Sequence, residues 1–162
     1  MKTLLILRHA KSSWNDPALS DHERPLNSRG RHDAPRMGQL LRQTALLPDL
    51  ILCSTALRAR ETVKAIIDSS GFQGDVLDSS DFYLAEPDTW IDSLCQIDDI
   101  YCRVMIVGHN PGLESLLQQL TSQSENVPTA TLACIELPIG SWQELSQQTN
   151  GTLAHLWRPK EL

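Results

Sequence analysis

The most constraining stretch of this sequence is a short apolar run near its start that stops at an arginine and a histidine. Residues 3–7 read Thr-Leu-Leu-Ile-Leu, and Arg8 and His9 follow directly. The run lacks polar alternation and is too short for a helix of its own, which predicts a buried strand. In α/β folds, ligands bind where the chain leaves the carboxyl ends of the strands. There, Arg8 and His9 would offer a phosphate ligand and a nucleophilic ring, although an ordinary ion pair and hydrogen bond explain this motif equally well.

Further apolar runs alternate with helical patterns along the chain. Strands are predicted at residues 50–53, 74–81, 103–108, 129–137 and 152–157. Helices are predicted at residues 28–45, 56–69, 88–96 and 111–120. This alternation predicts an α/β protein with a mostly parallel sheet. No repeat or linker divides the sequence, so residues 1–162 are expected to form one domain.

The composition is that of an ordinary globular protein, with 41% hydrophobic and 21% charged residues. No apolar run approaches the roughly 20 residues of a membrane span, and the apolar run at the start is too short for a signal peptide. The four cysteines lie far apart and form no CxxC pair, which favours reduced, mostly buried thiols. We therefore expect a cytoplasmic protein that does not associate with membranes.

Charge is distributed unevenly along the chain, whose formal net charge is −6. Residues 1–60 contain ten Lys and Arg against five Asp and Glu, whereas residues 61–162 contain four against fifteen. The acidic balance argues against a nucleic-acid surface. Helix surface chemistry explains part of the asymmetry, and the concentration of arginine near the start also fits a site that attracts an anion.

Three predicted strands end in a candidate phosphate ligand or nucleophile. The first leads to Arg8 and His9, the second to Ser54 and Arg58, and a later one to His109. Because the carboxyl ends of parallel strands share one edge of a sheet, these residues should converge without a metal ion. This expected convergence favours a phosphate-processing site over unrelated structural roles.

Two helices are predicted to begin beside these strand ends. Ser54 and Thr55 are expected to cap the helix that carries Arg58, while Asn110 is expected to cap another helix with Pro111 at its first position. A basic residue in the first turn of a helix opposes the helix dipole, whereas an anion there is favoured. Arg58 is therefore easier to explain if it shares a bound anion.

These motifs together resemble the histidine phosphatase (phosphoglycerate-mutase-like) superfamily and, within it, the small SixA-type phosphohistidine phosphatases. Arg8-His9-Ala10 resembles the Arg-His-Gly signature of the family, and residues 8–15 resemble the form seen in the mutases. Ser54–Thr62 resembles the second arginine motif, and Val107–Gly112 resembles the later histidine motif. Arg24-Pro25-Leu26 is similar to the third arginine motif of the small phosphatases.

The resemblance implies a three-layer α/β/α fold and a metal-independent phosphohydrolase that needs no cofactor. It implies that neutral His9 attacks phosphorus and forms a covalent phosphohistidine, which water then hydrolyses. The groups that bind and stabilise the phosphoryl oxygens would be Arg8, Arg58 and a charged His109. Further substrate contacts are expected from Arg24, Asn15 and Ser12.

Two departures from the family pattern bear on the substrate. Ala10 replaces the glycine of the signature, a small change that preserves close approach. Phosphomonoesterases of the family use a carboxylate to protonate the leaving alcohol, and Glu86 is a candidate proton donor by position alone. The leaving nitrogen of a phosphoramidate can arrive already protonated, so the protein needs no strong acid. The weak case for Glu86 as an acid therefore fits a phosphohistidine substrate.

Three other functions are weighed against a phosphohistidine phosphatase. A small-molecule phosphomonoesterase would use Glu86 as its acid, and a phosphate-binding module would not need the nucleophile His9. A metallohydrolase is disfavoured because the five histidines show no HxH or HExxH spacing. We expect a monomer that binds a phosphorylated protein or a small phosphorylated molecule, and neither nucleic acid nor membrane.

Overall fold

The structure, a computed structural model, describes residues 1–162 and contains one six-stranded sheet. The strands are β1 (Lys2–Arg8), β2 (Leu50–Ser54), β3 (Asp75–Ser79), β4 (Arg103–Gly108), β5 (Leu132–Leu137) and β6 (Thr152–Trp157). The helices are α1 (Ser28–Gln43), α2 (Leu57–Ser70), α3 (Pro87–Leu94) and α4 (Gly112–Thr121). None of these helices has both the length and the apolar character needed to cross a lipid bilayer.

The sheet is mostly parallel, as the sequence predicts. Its strands lie in the order β3-β2-β4-β1-β5-β6, and only β5 runs opposite to the others. The carboxyl ends of β1, β2 and β4 therefore reach the same edge. Arg8 in β1 pairs with Gly108 in β4, so the residues that follow these two strands leave the sheet side by side.

Helices cover both faces of the sheet and form the expected three layers. Leu5 and Leu7 of β1 point into a core with α1 and α2, while Leu4 and Ile6 point into a core with α3 and α4. All four side chains are fully buried. Because successive residues of a strand face opposite sides, an uninterrupted apolar run is what a strand between two helical layers requires. Truncating one of these leucines to alanine should cost about 2–5 kcal/mol of stability.

The start of α4 differs from the prediction. The helix begins at Gly112, and Asn110 is not its cap, since Pro111 occupies that position. The Asn110 amide instead donates to Glu114 Oε1 and to the Val127 carbonyl oxygen, each at 2.9 Å. Asn110 thus ties the first turn of α4 to a neighbouring loop and is not available to cap the helix.

The predicted caps of α2 are also wrong, because Ala56 stands at its N-cap position and makes no side-chain hydrogen bond. Ser54 Oγ accepts from the Ala56 backbone N–H at 3.2 Å, one step before the helix. Strand β5 begins at Leu132, later than predicted, because Ala130 adopts a positive φ of 61° and turns the chain. The Ala130 N–H then donates to the backbone oxygen of His9 at 3.0 Å.

All four cysteines are free, but only two of them fit the prediction of buried thiols. Cys53 and Cys134 lie in central strands and are buried. Cys95 is half-buried, and Cys102 is exposed because it precedes β4 at the rim of the sheet.

Candidate active site

A cavity of about 180 Å³, which we call the reaction cavity, lies at the carboxyl edge of the sheet, where β1, β2 and β4 end. Most of the residues proposed from the sequence line it, namely Arg8, His9, Ser12, Arg24, Arg58 and His109. They come from the end of β1 and the loop after it, from the first turn of α2 and from the loop after β4. The parallel sheet thus brings together residues as distant in the chain as Arg8 and His109.

The His9 imidazole is buried and held in one tautomer by its own loop. Its Nδ1 lies 2.7 Å from the Ala10 carbonyl oxygen, which accepts hydrogen bonds only, so Nδ1 carries the proton. Nε2 then carries no proton, and its lone pair accepts a long hydrogen bond from Arg58 Nε at 3.4 Å. This arrangement presents an unprotonated ring nitrogen to the charged groups of the cavity.

The backbone around His9 is fixed from three sides. The His9 N–H donates to the Gly108 carbonyl at 3.1 Å, and the Ala130 N–H donates to the His9 carbonyl at 3.0 Å. The Ala10 N–H donates to Thr62 Oγ1 at 3.0 Å. Ala10, which stands where the family signature has glycine, is fully buried. A side chain larger than alanine at this position would have to displace neighbouring atoms.

The pKa of His9 is lowered to about 3, mainly by burial and also by the nearby His109, Arg58 and Arg8, although the hydrogen bond to Ala10 acts in the opposite direction. Below this pKa the ring would be a cation, and above it the ring is neutral. His9 is therefore a neutral imidazole throughout the physiological range, which is the form that a nucleophile requires.

Arg58 connects the two histidines of the cavity. It lies in the first turn of α2 and is 4% exposed. Its Nη2 lies 3.3 Å from His109 Nδ1, in addition to the contact of its Nε with His9. Asp21 compensates the buried charge, because Arg58 Nη1 donates to its carbonyl at 2.6 Å and Nη2 to its Oδ2 at 3.0 Å. The carboxylate also offsets the repulsion between Arg58 and the helix dipole.

His109 has partners on both ring nitrogens. Because an arginine can only donate, Nδ1 accepts from Arg58, and Nε2–H donates to Ser54 Oγ at 2.7 Å. Burial, and next to it Arg58, lowers the pKa of His109 to about 4. The ring is therefore neutral at physiological pH in the unliganded protein, and a charged His109 in contact with substrate stays a prediction from the sequence.

Arg8 lies on another side of the cavity and keeps part of its hydrogen-bonding capacity free. Its Nη1 donates to the Val127 carbonyl oxygen at 3.2 Å. Its Nε is buried and has no partner in the protein. A buried donor without a partner carries a desolvation cost, which an anion bound beside it would relieve.

Arg24 reaches the cavity from the loop that precedes α1. Its Nη2 donates to Ser12 Oγ, and its Nε donates to the Ser13 carbonyl oxygen at 3.0 Å. The guanidinium also lies 3.2 Å from the centroid of the exposed Trp14 ring, within the range of a cation–π contact. These contacts hold Arg24 over the reaction cavity, although the turn-rich sequence around Arg24 predicts neither a helix nor a strand.

Asp21 and Tyr83 belong to the site but were missed by sequence reasoning. The Asp21 carboxylate accepts from Arg24 Nη1 at 2.9 Å, from Arg58 Nη2 and from the Tyr83 hydroxyl. Burial opposes the charged carboxylate, but the hydrogen bonds from Tyr83, Arg24 and Arg58 outweigh it and hold the pKa of Asp21 well below its ordinary value. The only signal in the sequence was an acid three residues before Arg24, within residues 1–60, where Lys and Arg outnumber Asp and Glu.

Two proposed residues do not line the cavity. Asn15 is exposed, and its backbone N–H donates to Ser13 Oγ at 3.1 Å. Glu86 is exposed at the N-cap position of α3, where its side chain makes no capping hydrogen bond. Substrate contact by Asn15 and proton donation by Glu86 remain predictions from the sequence.

Comparison with known proteins finds both similar sequences and similar structures. An uncharacterized chloroplastic protein of Arabidopsis thaliana is 37% identical over 153 residues, which cover 88% of this chain and 70% of that protein. A candidate phosphohistidine phosphatase SixA from Nakamurella multipartitia has a TM-score of 0.87 at 25% identity, covering 98% of this chain and 96% of its own. A candidate SixA from Agrobacterium tumefaciens has a TM-score of 0.84 at 27% identity, covering 98% of both chains.

The family model of the histidine phosphatase superfamily (branch 1) matches residues 4–79. This range contains most of β1, the Arg8-His9 pair and the first turn of α2 with Arg58. The later histidine, His109, lies outside it, and the sheet topology brings that histidine to the same edge. The chain belongs to the histidine phosphatase superfamily.

Proposed function

We propose that this protein is a metal-independent phosphatase that removes phosphoryl groups from protein phosphohistidine through a covalent intermediate on His9. The observation that carries the proposal is the tautomer of His9. Its Nδ1–H is held by the Ala10 carbonyl, which leaves an unprotonated Nε2 beside Arg58. A site that only bound phosphate would need the arginines but not this unprotonated ring nitrogen.

In the first step, His9 Nε2 attacks phosphorus in line with the bond to the substrate nitrogen. The new N–P bond forms as the substrate N–P bond breaks. The leaving imidazole departs as a neutral ring, with the electron pair of that bond on the leaving nitrogen and a proton already on the other ring nitrogen. Arg8 and Arg58 bind the equatorial oxygens, on which charge spreads in the transition state. The Arg8 guanidinium makes one hydrogen bond within the protein, to the Val127 carbonyl oxygen, and so retains donors for this purpose.

In the second step, water attacks the phosphorylated His9. The bond between Nε2 and phosphorus breaks, its electrons return to the ring, and the proton lost by water stays on the released phosphate. His9 is thereby restored to the neutral tautomer that its bond to Ala10 favours. The low pKa of the free ring, about 3, keeps it ready for the next attack.

We propose that His109 gains a proton when the phosphorylated substrate binds. Its pKa of about 4 in the free protein results from burial and from Arg58. A phosphoryl group would bring negative charge next to the ring and oppose both effects. The protonated His109 would then stabilise the transferring group, while Ser54 continues to orient its Nε2–H.

The phosphohistidine substrate is favoured because the cavity lacks a suitable acid. No carboxylic acid lines it. Asp21, the carboxylate that contacts Arg58, has a pKa well below the ordinary range and cannot hold a proton at neutral pH. An alcohol leaving group needs such a proton, whereas an imidazole leaving group can arrive with one. The SixA proteins with similar structures are named as candidate phosphohistidine phosphatases, which supports the same substrate class.

A small-molecule phosphomonoesterase is the second candidate. It is supported by Glu86, whose backbone lies near the loop after β4, since a Cβ added to Gly112 would be 3.9 Å from the Glu86 Cα. The exposed Glu86 side chain would have to turn toward the cavity to protonate a leaving alcohol.

We propose that residues 1–162 act as one catalytic domain and that one copy of the chain suffices, because a single chain supplies every group named above. Two of its four free cysteines are not buried, which fits a reducing compartment, and we place the protein in the cytoplasm. No cluster of three or more potential metal ligands occurs in the chain. The arginines supply the positive charge that a metal would otherwise bring.

The proposal is tested by assaying a phosphohistidine-bearing protein beside a panel of phosphate monoesters, each in the presence and absence of excess EDTA. We expect faster release from phosphohistidine, no effect of EDTA and inhibition by vanadate. Preferential hydrolysis of an ester would move the assignment to the second candidate. Loss of turnover on chelation, restored by a divalent ion, would contradict metal independence.

A further inference from the structure

A second cavity lies directly beside the reaction cavity and is lined by cations. Its volume is about 280 Å³, and it shares Arg8, Lys11 and Thr129 with the reaction cavity. The remaining charged residues that line it are Arg29, Arg158 and Lys160. We call this second cavity the basic groove. Five positive side chains from three separate segments of the chain thus surround one groove, and no carboxylate lines it.

The cations of the basic groove are only partly neutralised by the protein. Arg158 contacts Glu125 at 3.0 Å and Glu161 at 3.4 Å, and Arg29 lies 3.5 Å from Asp33. Lys11 and Lys160 are exposed and form no ion pair with any carboxylate of the chain. The groove therefore retains positive charge in a protein whose net charge is negative.

The first turn of α1 increases this positive potential. Arg29 lies in that turn, which contains no acidic residue. The N-terminus of a helix favours an anion, and a basic residue there opposes the helix dipole. At α2 the same conflict is relieved by Asp21, which contacts Arg58. At α1 Arg29 has only its pair with Asp33 one turn further along the helix, so an external anion in the groove would add to the compensation.

Large apolar side chains flank the mouth of the neighbouring reaction cavity. Trp14 is 72% exposed and Leu84 is 53% exposed, and both line that cavity. Exposed tryptophan beside positive charge is typical of a surface that binds another protein. A small phosphorylated metabolite would not need these apolar groups at the rim.

We propose that the basic groove binds acidic side chains that flank the phosphohistidine on the substrate protein. The inference rests on the proposed function and adds a recognition element to it. The phosphohistidine enters the reaction cavity, and carboxylates near it on the same surface contact Lys11, Arg29 and Lys160. Trp14 and Leu84 contact the apolar part of that surface. Phosphoproteins with neutral surroundings of the histidine are then poorer substrates.

The test compares two phosphohistidine peptides of equal length, one with aspartates beside the histidine and one with asparagines there. We expect the unmodified protein to prefer the acidic peptide by about tenfold in kcat/KM at low salt. Several exposed charge pairs, each of modest strength, account for a preference of this size. The preference should fall steeply when ionic strength rises from about 0.05 to about 0.5 M, because salt screens exposed charges.

Two variants assign the preference to the basic groove. Lys160→Gln and Arg29→Gln should each reduce the ratio of the two kcat/KM values by about twofold to fivefold, the range expected for one exposed ion pair. The neutral peptide serves as the internal reference for each variant. Lys64→Gln is the matched control, because Lys64 is exposed and lines neither the groove nor the reaction cavity. It should keep the full ratio.

Equal kcat/KM for both peptides in the unmodified protein would overturn the proposal for the groove while leaving the phosphatase function intact. A ratio that persists unchanged in both groove variants would also overturn it. A diol bisphosphate turned over faster than the matching monophosphate, without any preference between the peptides, would assign the groove to small molecules instead. Failure to act on either peptide while esters are hydrolysed would refute the proposed function itself.

Discussion

Two neighbouring strand ends of this protein each deliver a buried histidine to the same cavity, but in different chemical states. β1 and β4 are parallel partners, and their last residues, Arg8 and Gly108, pair in register. His9 and His109 follow directly, with ring centroids 5.1 Å apart. At His9 one nitrogen donates to the carbonyl of Ala10 and the other faces Arg58 with its lone pair. At His109 the tautomer is the opposite one, since Nδ1 accepts from Arg58 and Nε2–H donates to Ser54 Oγ.

The difference between the two histidines lies in hydrogen bonding rather than in burial. Both rings are buried and both have a lowered pKa, about 3 for His9 and about 4 for His109. His109 has Arg58 on Nδ1 and the Ser54 hydroxyl on Nε2. Burial and pKa therefore do not distinguish a nucleophile from a stabilising group, whereas the partners of each nitrogen do.

The largest expected effect is that of removing the nucleophile. His9→Ala should reduce kcat/KM by at least about a thousandfold, as expected for the loss of a nucleophile from a group of residues that act together. Steady-state rates on a phosphohistidine protein measure this loss, and circular dichroism controls for folding. Near-full activity of His9→Ala would contradict the assignment of His9, rather than His109, as the nucleophile.

Arg58 contacts both histidines, so its loss should affect both strand ends. Arg58→Ala should reduce kcat by about a hundredfold to a thousandfold, the usual cost of removing one donor to a transition state. The matched comparison is Arg60→Ala on the same helix, because Arg60 is exposed and does not line the reaction cavity. Equal activity of these two variants would contradict the assigned role of Arg58.

Glu86 lies outside both strand ends and should matter little for a phosphohistidine substrate. Glu86→Gln should change kcat/KM for the phosphohistidine substrate by less than about threefold, because the leaving imidazole needs no acid from the protein. The same substitution should cost an esterase reaction about a hundredfold or more. Measuring both substrates with one variant separates the two functions, and a hundredfold loss on phosphohistidine would favour the esterase.

The smallest expected effect is a difference in protonation between the two rings. A lowered histidine pKa means that the proton binds only at lower pH. At pH 5, His9 should therefore be about 1% protonated and His109 about 10%, whereas an unperturbed histidine is almost fully protonated. Titration of the imidazole resonances by NMR in the unliganded protein measures these fractions. A midpoint near 6.5 for His9 would contradict the buried, neutral ring.

Most of the fold was predictable because strand and helix patterns are local. The uninterrupted apolar run of β1 indicated a strand between two helical layers, and parallel topology then placed Arg8, Arg58 and His109 at one edge. Strand β4 was predicted with the bounds that the structure has, Arg103–Gly108. These predictions depend on side-chain patterns within one segment or on the general handedness of strand–helix units.

The missed features depend on contacts between distant segments. Asp21 joins the site because Tyr83, which is 62 residues away, and Arg58 donate to it. Asn110 resembles a helix cap in the sequence, but it donates to the Val127 carbonyl across a loop. No local pattern records such pairings, and a polar loop such as the one around Asp21 shows no periodicity that would reveal its folded shape.

The central claim is that phosphate is transferred to His9 and not to His109. Rapid quench of the reaction with labelled phosphohistidine substrate should trap acid-labile, base-stable phosphate on a single histidine. We expect the label on the peptide that contains His9, its retention in His109→Gln at a reduced rate of formation, and its absence in His9→Ala. Label on His109, or label that persists in His9→Ala, would contradict the assignment.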